Sequence, residues 1–334
     1  MANMKDIAEK ANVSISTVSR VINNKQYVRK EVRDKVLTVA EELDYLQNQP
    51  IRGTKNKEVK TIGLIIPDIG DEFFTEVIKG IDKSLTEYGY SATLCITNED
   101  PERENMYLNI LMKNKVDGII LATVNKESTI LNNLIKREFP LIFIDNLPKT
   151  NININSVILD NSKASYIAIE HLIKSGHRRI AGIMGKQDET TGFDRYTGFR
   201  KAFYDYQVEL DKTLVEFGDF KELSGYTAMK KLLEQHPDIT AVYCASSQMT
   251  YGAIKAIKAY GKTIPNDISV IGFDIHDKFN LVNPAITTIK QPEEQIGIMA
   301  VEFLSNSLKK TPNIFAHKVV LDPILLIRDS SINI

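Results

Sequence analysis

Residues 4–23 read MKDIAEKANVSISTVSRVIN, and their apolar positions keep helical spacing with no alternating stretch. Ile7, Ala8 and Ala11 fit one short helix, and Val18, Val21 and Ile22 fit a second. Between them Asn12 suits a tight turn, and Ser14 can cap the second helix by accepting from its free N–H groups. Ala8 is small where the helices must cross, and Val13 and Val18 fill the angle. The second helix then exposes Ile15, Ser16, Thr17, Ser19 and Arg20. Short polar side chains with one Arg suit a helix lying in a major groove, where its N-terminal residues reach base edges. A three-helix domain that binds protein is the other reading of this pattern. A third helix is predicted through Val32, Val36, Val39, Ala40 and Leu43.

Outward from this head the composition changes twice. Residues 45–60 (YLQNQPIRGTKNKEVK) are polar and basic, with one Pro and one Gly, and read as a linker. From Thr61 short β-branched runs alternate with helical segments: TIGLIIPD, SATLCIT, VDGIILAT and PLIFID, then SVILD, RIAGIMG, AVYCAS and ISVIGFD. Nearly continuous apolar strands alternating with helices mean parallel sheets covered on both faces, and two series fit two doubly wound lobes. Ligands in such folds bind where the loops gather at the carboxyl ends of the strands. The loops to inspect are therefore Pro67–Phe74, Asp145–Asn146, Lys186–Arg195, Ser246–Gln248, Asp274–His276 and Lys290–Gln291.

Charge follows the same division. Residues 1–60 carry 12 Lys/Arg against 8 Asp/Glu, and the remainder carries 30 against 35. A basic head on an acidic body suits contact with a polyanion. The N-terminal residues are polar and charged, unlike a secretory signal, and no apolar run approaches the ~20 residues that span a bilayer, so a cytoplasmic protein without membrane contact is expected. Cys95 and Cys244 sit in apolar runs and read as buried strand thiols. Five scattered histidines predict no metal site; His171 and His177 read as lying on or just after an exposed helix. The first strand is followed by Pro67-Asp-Ile-Gly-Asp-Glu rather than a G-x-G-x-x-G turn, and no catalytic arrangement stands out, so neither an enzyme nor a bound cofactor is expected. A free sugar-binding protein for transport is the alternative, but it would not carry the head.

The head, followed by a Val/Arg/Lys-rich helix ending in LDY, resembles the LacI/GalR family of transcriptional regulators. The likeness runs the whole length, through VDGIIL, GHRRIA, R-x-x-GF, SVIGFD and TTIKQP. It implies a helix-turn-helix domain over 1–46, a hinge over 47–60, and a periplasmic-binding-protein-like body over 61–334. Within the body it implies lobe one at about 61–159 and 292–319, and lobe two at about 160–290 and 320–330. It also implies a repressor that binds palindromic operator DNA as a homodimer and answers to a small-molecule effector, a sugar or sugar phosphate. Base reading falls on Ile15, Ser16 and Arg20 with a minor contribution near Met4, and phosphate contacts on Thr17, Ser19, Asn23 and Tyr27. Arg20 suits bidentate guanine recognition, and Ile15 offers only apolar contact.

In the hinge, Tyr45, Asn48 and Arg52 match the family pattern, whereas Gln47, Ile51 and Thr54 replace the usual Pro, Ala and Leu. The family wedges a leucine into the minor groove, and such a wedge must be apolar to replace the stacking it disrupts. Thr54 is a poor one and Ile51, on a neighbouring turn, is the candidate substitute, so weaker or differently made insertion is expected. For the effector the resemblance implies Asp71, Phe73, Phe74, Asp145, Arg195, Ser246, Asp274 and Gln291. Several also have a structural reading: the Phe pair as helix core, Asp145 and Asp274 as helix caps or turn closers. Asp71 stands where similar proteins often have Asn, and Ser246-Ser247 where they have Asn-Asp, so an effector of different size, or a phosphorylated one, is expected. A purine is disfavoured because no further aromatic residue is evident in these loops.

Overall fold

In the computed structural model, residues 3–22, 28–43, 45, 60–276, 281, 283–309 and 318–334 are described. The chain divides into two units, Met1–Glu58 and Val59–Ile334. The first contains α1 (Met4–Ala11), α2 (Ile15–Ile22) and α3 (Lys30–Glu42). Asn3 caps α1 through a reciprocal box: its side chain accepts from the Lys5 and Asp6 N–H groups, and the Asp6 carboxylate accepts from Asn3 N at 2.7 Å. Asn12 takes the left-handed conformation (φ 52°) and turns the chain, and Ser14 Oγ accepts from Thr17 N at 3.2 Å to cap α2. Ile7, Ala8, Ala11, Val18, Val21, Val36, Val39, Ala40 and Tyr45 form the core of this unit. Each large aliphatic there contributes about 1.5–3 kcal/mol by burial.

The second unit begins with β1 (Lys60–Ile66), α4 (Glu72–Tyr88), β2 (Tyr90–Ile96), α5 (Pro101–Lys113), β3 (Gly118–Leu121), α6 (Thr129–Lys136), β4 (Leu141–Ile144) and β5 (Asn155–Leu159). It continues through α7 (Asn161–Lys174), β6 (Ile180–Met184), α8 (Thr190–Asp205), β7 (Val215–Phe217), α9 (Glu222–Gln235), β8 (Ala241–Cys244), α10 (Ser247–Ala259), β9 (Ser269–Phe273) and β10 (Thr287–Lys290). It closes with α11 (Glu293–Leu308), β11 (Lys318–Leu321) and β12 (Ile324–Leu326). Two six-stranded sheets result, ordered β11-β5-β4-β3-β1-β2 and β12-β10-β9-β8-β6-β7. All pairings are parallel except β10 with β12. The central strands β3, β4, β6, β8 and β9 are buried along their whole length, as the continuous apolar runs predict.

The edge strands β7, β11 and β12 are not evident in the sequence, because each is three or four residues long and partly exposed. The chain passes between the lobes around Asp160, Gln291 and Asp322, and β11 runs to Leu321, two residues past the expected end of lobe one. Close approach sets α11 on α4: a Cβ at Gly80 would lie 2.2 Å from Glu294 O, and one at Gly297 2.3 Å from Val77 O. Cys95 and Cys244 are free and buried, and burial pushes the Cys244 thiol up to about 12. His177 is buried rather than on an exposed helix: its ring nitrogens contact Thr240 Oγ1 and Ile332 O, which tie α7 to the sheet and the C-terminal segment. His171 meets Ser331 Oγ.

Candidate functional site

The head offers one polar face. Ile15 is 50% exposed, Ser16 and Arg20 are exposed, and Thr17 and Ser19 are half-buried on the same short helix. Ser14 Oγ lies 2.8 Å from both Ser16 Oγ and Thr17 Oγ1, which orients these two hydroxyls at the start of α2. Met4 leans on the head core instead of standing clear of it. Asn23, Tyr27, Asn48, Ile51, Arg52 and Thr54 lie outside the described residues, as does the hinge expected over 47–60 except Lys60, which opens β1.

In the second unit the carboxyl ends of both sheets face one cleft with about 530 Å³ of empty space, part of it open to solvent. Asp71, Phe73, Phe74, Asp145, Arg195, Ser246, Asp274 and Gln291, eight positions spread over 220 residues of sequence, all line it. Phe73 and Phe74 meet edge to face at 4.9 Å in the first turn of α4; they belong to the lobe-one core and to the cleft wall at once. Asp71 caps α4 by accepting from Phe73 N at 3.0 Å, and Ser246 caps α10 by accepting from Met249 N at 3.3 Å. Among the described residues Asp145 and Asp274 cap no helix.

Arg195 sits in the second turn of α8, which begins at Thr190. Its guanidinium lies 3.7 Å over the Phe273 ring; Nε donates to Asn161 Oδ1 at 2.8 Å and Nη1 to Ala245 O at 2.6 Å. Nη2 has no hydrogen-bond partner among the described residues. Asp274 accepts from Gln291 twice, at Nε2 (2.6 Å) and backbone N (3.2 Å), across a chain crossing between the lobes.

Eight further residues line the cleft: Pro67, Asn146, Glu189, Thr191 and Ser247 lie in the loops singled out from the sequence, whereas Glu99, Phe220 and Phe273 escaped that reading. Glu99 follows β2 and Phe220 follows the short edge strand β7, loops that the strand pattern did not single out. Phe220 and Phe273 add two aromatic residues to the lining from outside the loops singled out in the sequence. One backbone signal marks the site: Glu99 (φ 62°), Asp145 (φ 60°), Phe220 (φ 68°) and Asp274 (φ 51°) all take the left-handed conformation. This costs a residue with a Cβ about 1–2 kcal/mol, and such strain clusters at ligand sites.

Burial, only partly offset by Arg195, pushes the Asp145 carboxyl up to about 7, with Glu189, Asp71 and Glu99 adding repulsion. Burial likewise pushes Asp274 up to about 7, against its bond from Gln291. Burial raises Asp71 and Glu189 as well. Across the cleft, Lys186 Nζ bridges Glu99 Oε2 (2.8 Å) and Glu189 Oε1 (3.1 Å). Asn146 donates to Glu189 Oε2 and accepts from Thr190 Oγ1 and Thr191 N, each at 3.1 Å. Lys126 pairs with Asp188. These contacts draw the two lobes together around the cavity. Among the described residues, Asp274, His276 and Glu293 bring ligand-type atoms within 4.8 Å of one another. His276 Nε2 already meets Glu293 Oε1 at 3.1 Å as an ion pair, which raises the imidazole.

Comparison with known proteins agrees with both parts. The family model for periplasmic binding proteins and the sugar-binding domain of the LacI family matches residues 59–319, and that for bacterial regulatory proteins of the lacI family matches residues 3–48. The chain is similar to a ribose operon repressor of Halalkalibacterium halodurans, at 35% identity over 93% of this chain and 92% of that one. It is similar in structure to the transcriptional regulator CelR in complex with cellobiose (TM-score 0.76, 28% identity, 99% of this chain and 100% of that one). It is also similar to the lac repressor dimer bound to operator and the anti-inducer ONPF (TM-score 0.74, 26% identity, 99% of each chain).

Proposed function

The chain belongs to the LacI family of bacterial transcriptional regulators, and from that premise we propose that it is a repressor whose cleft takes a sugar that sets the grip of its head on operator DNA. The observation that carries this reading is the convergence of Asp71, Phe73, Phe74, Asp145, Arg195, Ser246, Asp274 and Gln291 on one cavity. Carboxylates and a guanidinium bridge neighbouring hydroxyls, and the aromatic faces of Phe73, Phe74 and Phe220 pack on sugar C–H groups. The ribose operon repressor and the cellobiose-bound regulator support a carbohydrate effector. Arg20, Ser16 and Ile15 read bases, and Thr17, Ser19, Asn23 and Tyr27 hold phosphates, which adds affinity without specificity.

A palindromic operator asks for two heads, and a second copy of the chain supplies the other. Leu94 on the edge strand β2 and Met106 and Ile110 on α5 are exposed apolar side chains suited to such pairing. The relatives are regulators, so the cleft binds rather than catalyses, and it needs no cofactor or metal. Among the described residues no helix is long and apolar enough to cross a membrane. A DNA target together with two free buried thiols supports a cytoplasmic site of action. Ligand acts by its different affinity for the closed and open lobes, and that difference bounds how far it shifts the head.

A thermal-shift screen of pentoses, hexoses, their phosphates and purines tests the effector class. A ligand at ~100 times its Kd stabilises the body by ~2.7 kcal/mol. A purine as the only responder, or no responder, contradicts the carbohydrate reading.

A further inference from the structure

The charges of the cleft do not balance. Five carboxylates line it, on Asp71, Glu99, Asp145, Glu189 and Asp274, against the single guanidinium of Arg195. Lys186 stands beside the lining and bridges Glu99 to Glu189, so those two are paired. Asp274 is held by both donors of Gln291. Two carboxylates of lobe one remain. Asp71 uses Oδ1 to accept from Phe73 N, and its Oδ2 has no partner among the described residues. Asp145 has no hydrogen-bond partner for either oxygen among the described residues, and it is close enough to Asp71 for the two charges to repel.

Arg195 does not resolve this. It is 6% exposed, and its Nε and Nη1 are committed to neutral acceptors, Asn161 Oδ1 and Ala245 O. With every group ionised, five negative charges against Arg195 and Lys186 would leave a net −3 around the cleft; burial raises Asp145 and Asp274 to about 7, so in the empty protein protons hold off part of that charge, and an ammonium group would take their place. A phosphate or carboxylate would enter that field with one cation to meet it. A neutral sugar would supply donors and leave the charge uncompensated. An ammonium group supplies three donors and a positive charge together, and the faces of Phe73, Phe74 and Phe220 add attraction for a cation.

We propose that the effector is an amine-bearing polyol, an amino sugar of monosaccharide size, whose ammonium lies between Asp71 and Asp145 while its hydroxyls meet Arg195 Nη2, Ser246 and the edge of the Asp274–Gln291 pair. This deepens the sugar reading above and rests on it. It separates effectors that differ by one functional group, because a charge-assisted hydrogen bond is worth roughly 1.5–3 kcal/mol, or about 10- to 100-fold in affinity.

Titration calorimetry of the full-length protein at pH 6.5 tests it, with glucosamine, galactosamine and mannosamine, the three parent hexoses, and the hexose 6-phosphates. The expected result is an amino hexose binding at least about tenfold tighter than its parent, with no heat from the phosphates. Asp71→Asn keeps the shape and the acceptor for Phe73 N, and it should erase most of the amine's advantage over its own parent sugar. Asp145→Asn serves the same purpose should the first variant melt early. A parent hexose that binds as tightly as its amine overturns the proposal and leaves the sugar reading standing. A phosphate that binds tightest overturns the charge argument, and silence from every compound overturns the amino-sugar proposal while leaving the wider sugar reading to the pentoses of the thermal-shift screen.

Discussion

On α2 the groups offered to DNA stand in water, whereas in the cleft the groups offered to a ligand have been taken out of it. Ile15, Ser16 and Arg20 are exposed on a helix of eight residues, held by nothing more elaborate than an N-cap and a small core of buried valines and alanines behind them. Asp145 and Asp274 come from strand ends more than a hundred residues apart, with left-handed backbones and carboxyls raised to about 7. The first surface gains affinity by adding weak, screened contacts to a polyanion, each nearly independent of the fold. The second holds its groups in an unfavourable state that a ligand relieves. Perturbing the first should change binding and leave stability alone, and perturbing the second should change both.

The largest effect is expected from Arg195→Met. It leaves Asn161 Oδ1 and Ala245 O without their donor and removes the one lining cation, so the body should lose about 3–5 kcal/mol and ligand stabilisation should vanish. Denaturant unfolding monitored with and without sugar reads both losses; a variant as stable and as responsive as the parent would erase the contrast between the two surfaces.

Next is Asp145→Asn, with the opposite sign. The carboxyl is neutral in folded and unfolded chains below about pH 4. Between there and about 7 the unfolded chain ionises while the folded one, facing Asp71, Glu99 and Glu189 with only Arg195 in compensation, does not. The empty protein therefore loses stability as pH rises through that window, and Asn should restore about 2–4 kcal/mol at pH 8 and nothing at pH 4. Melting curves across pH check the sign; stabilisation that is flat with pH would assign the effect to packing.

Arg20→Ala is the smallest in stability and the sharpest in specificity. Operator affinity should fall by about 1–3 kcal/mol, or about 10- to 100-fold, with discrimination at one base pair relaxed and the melting temperature unmoved. Anisotropy titrations against operators substituted at each position read this directly. A uniform loss across all of them would make Arg20 a phosphate contact.

The same contrast explains what the sequence discloses. The head is legible because its logic is local: Asn12 in the turn, Ser14 as cap and Val18 and Val21 in the core lie within ten residues, and each is fixed by helix period and capping chemistry. The central strands are legible because burial on both faces writes them as unbroken apolar runs, as in GIIL and LIFI. The cleft is only half legible. Asp145, Asp274 and Gln291 end strands that announce themselves, but Phe220 follows VEF, three residues whose half-exposed edge leaves no apolar run, and Glu99 follows the exposed edge strand β2. Neither the pairing of Lys186 with Glu99 nor the net charge around the cavity is visible until both lobes are folded, because the partners are 87 positions apart.

The most direct test of the central claim is the binding of purified full-length protein to promoter fragments by anisotropy, over 50–200 mM salt, with and without the sugar that stabilises the body. A shared fragment bound with sequence selectivity, an affinity that falls steeply with salt, and a shift in that affinity when the sugar is added are the results expected here. Affinity for every fragment that is equal, or absent, in both the empty and the loaded protein would contradict the account.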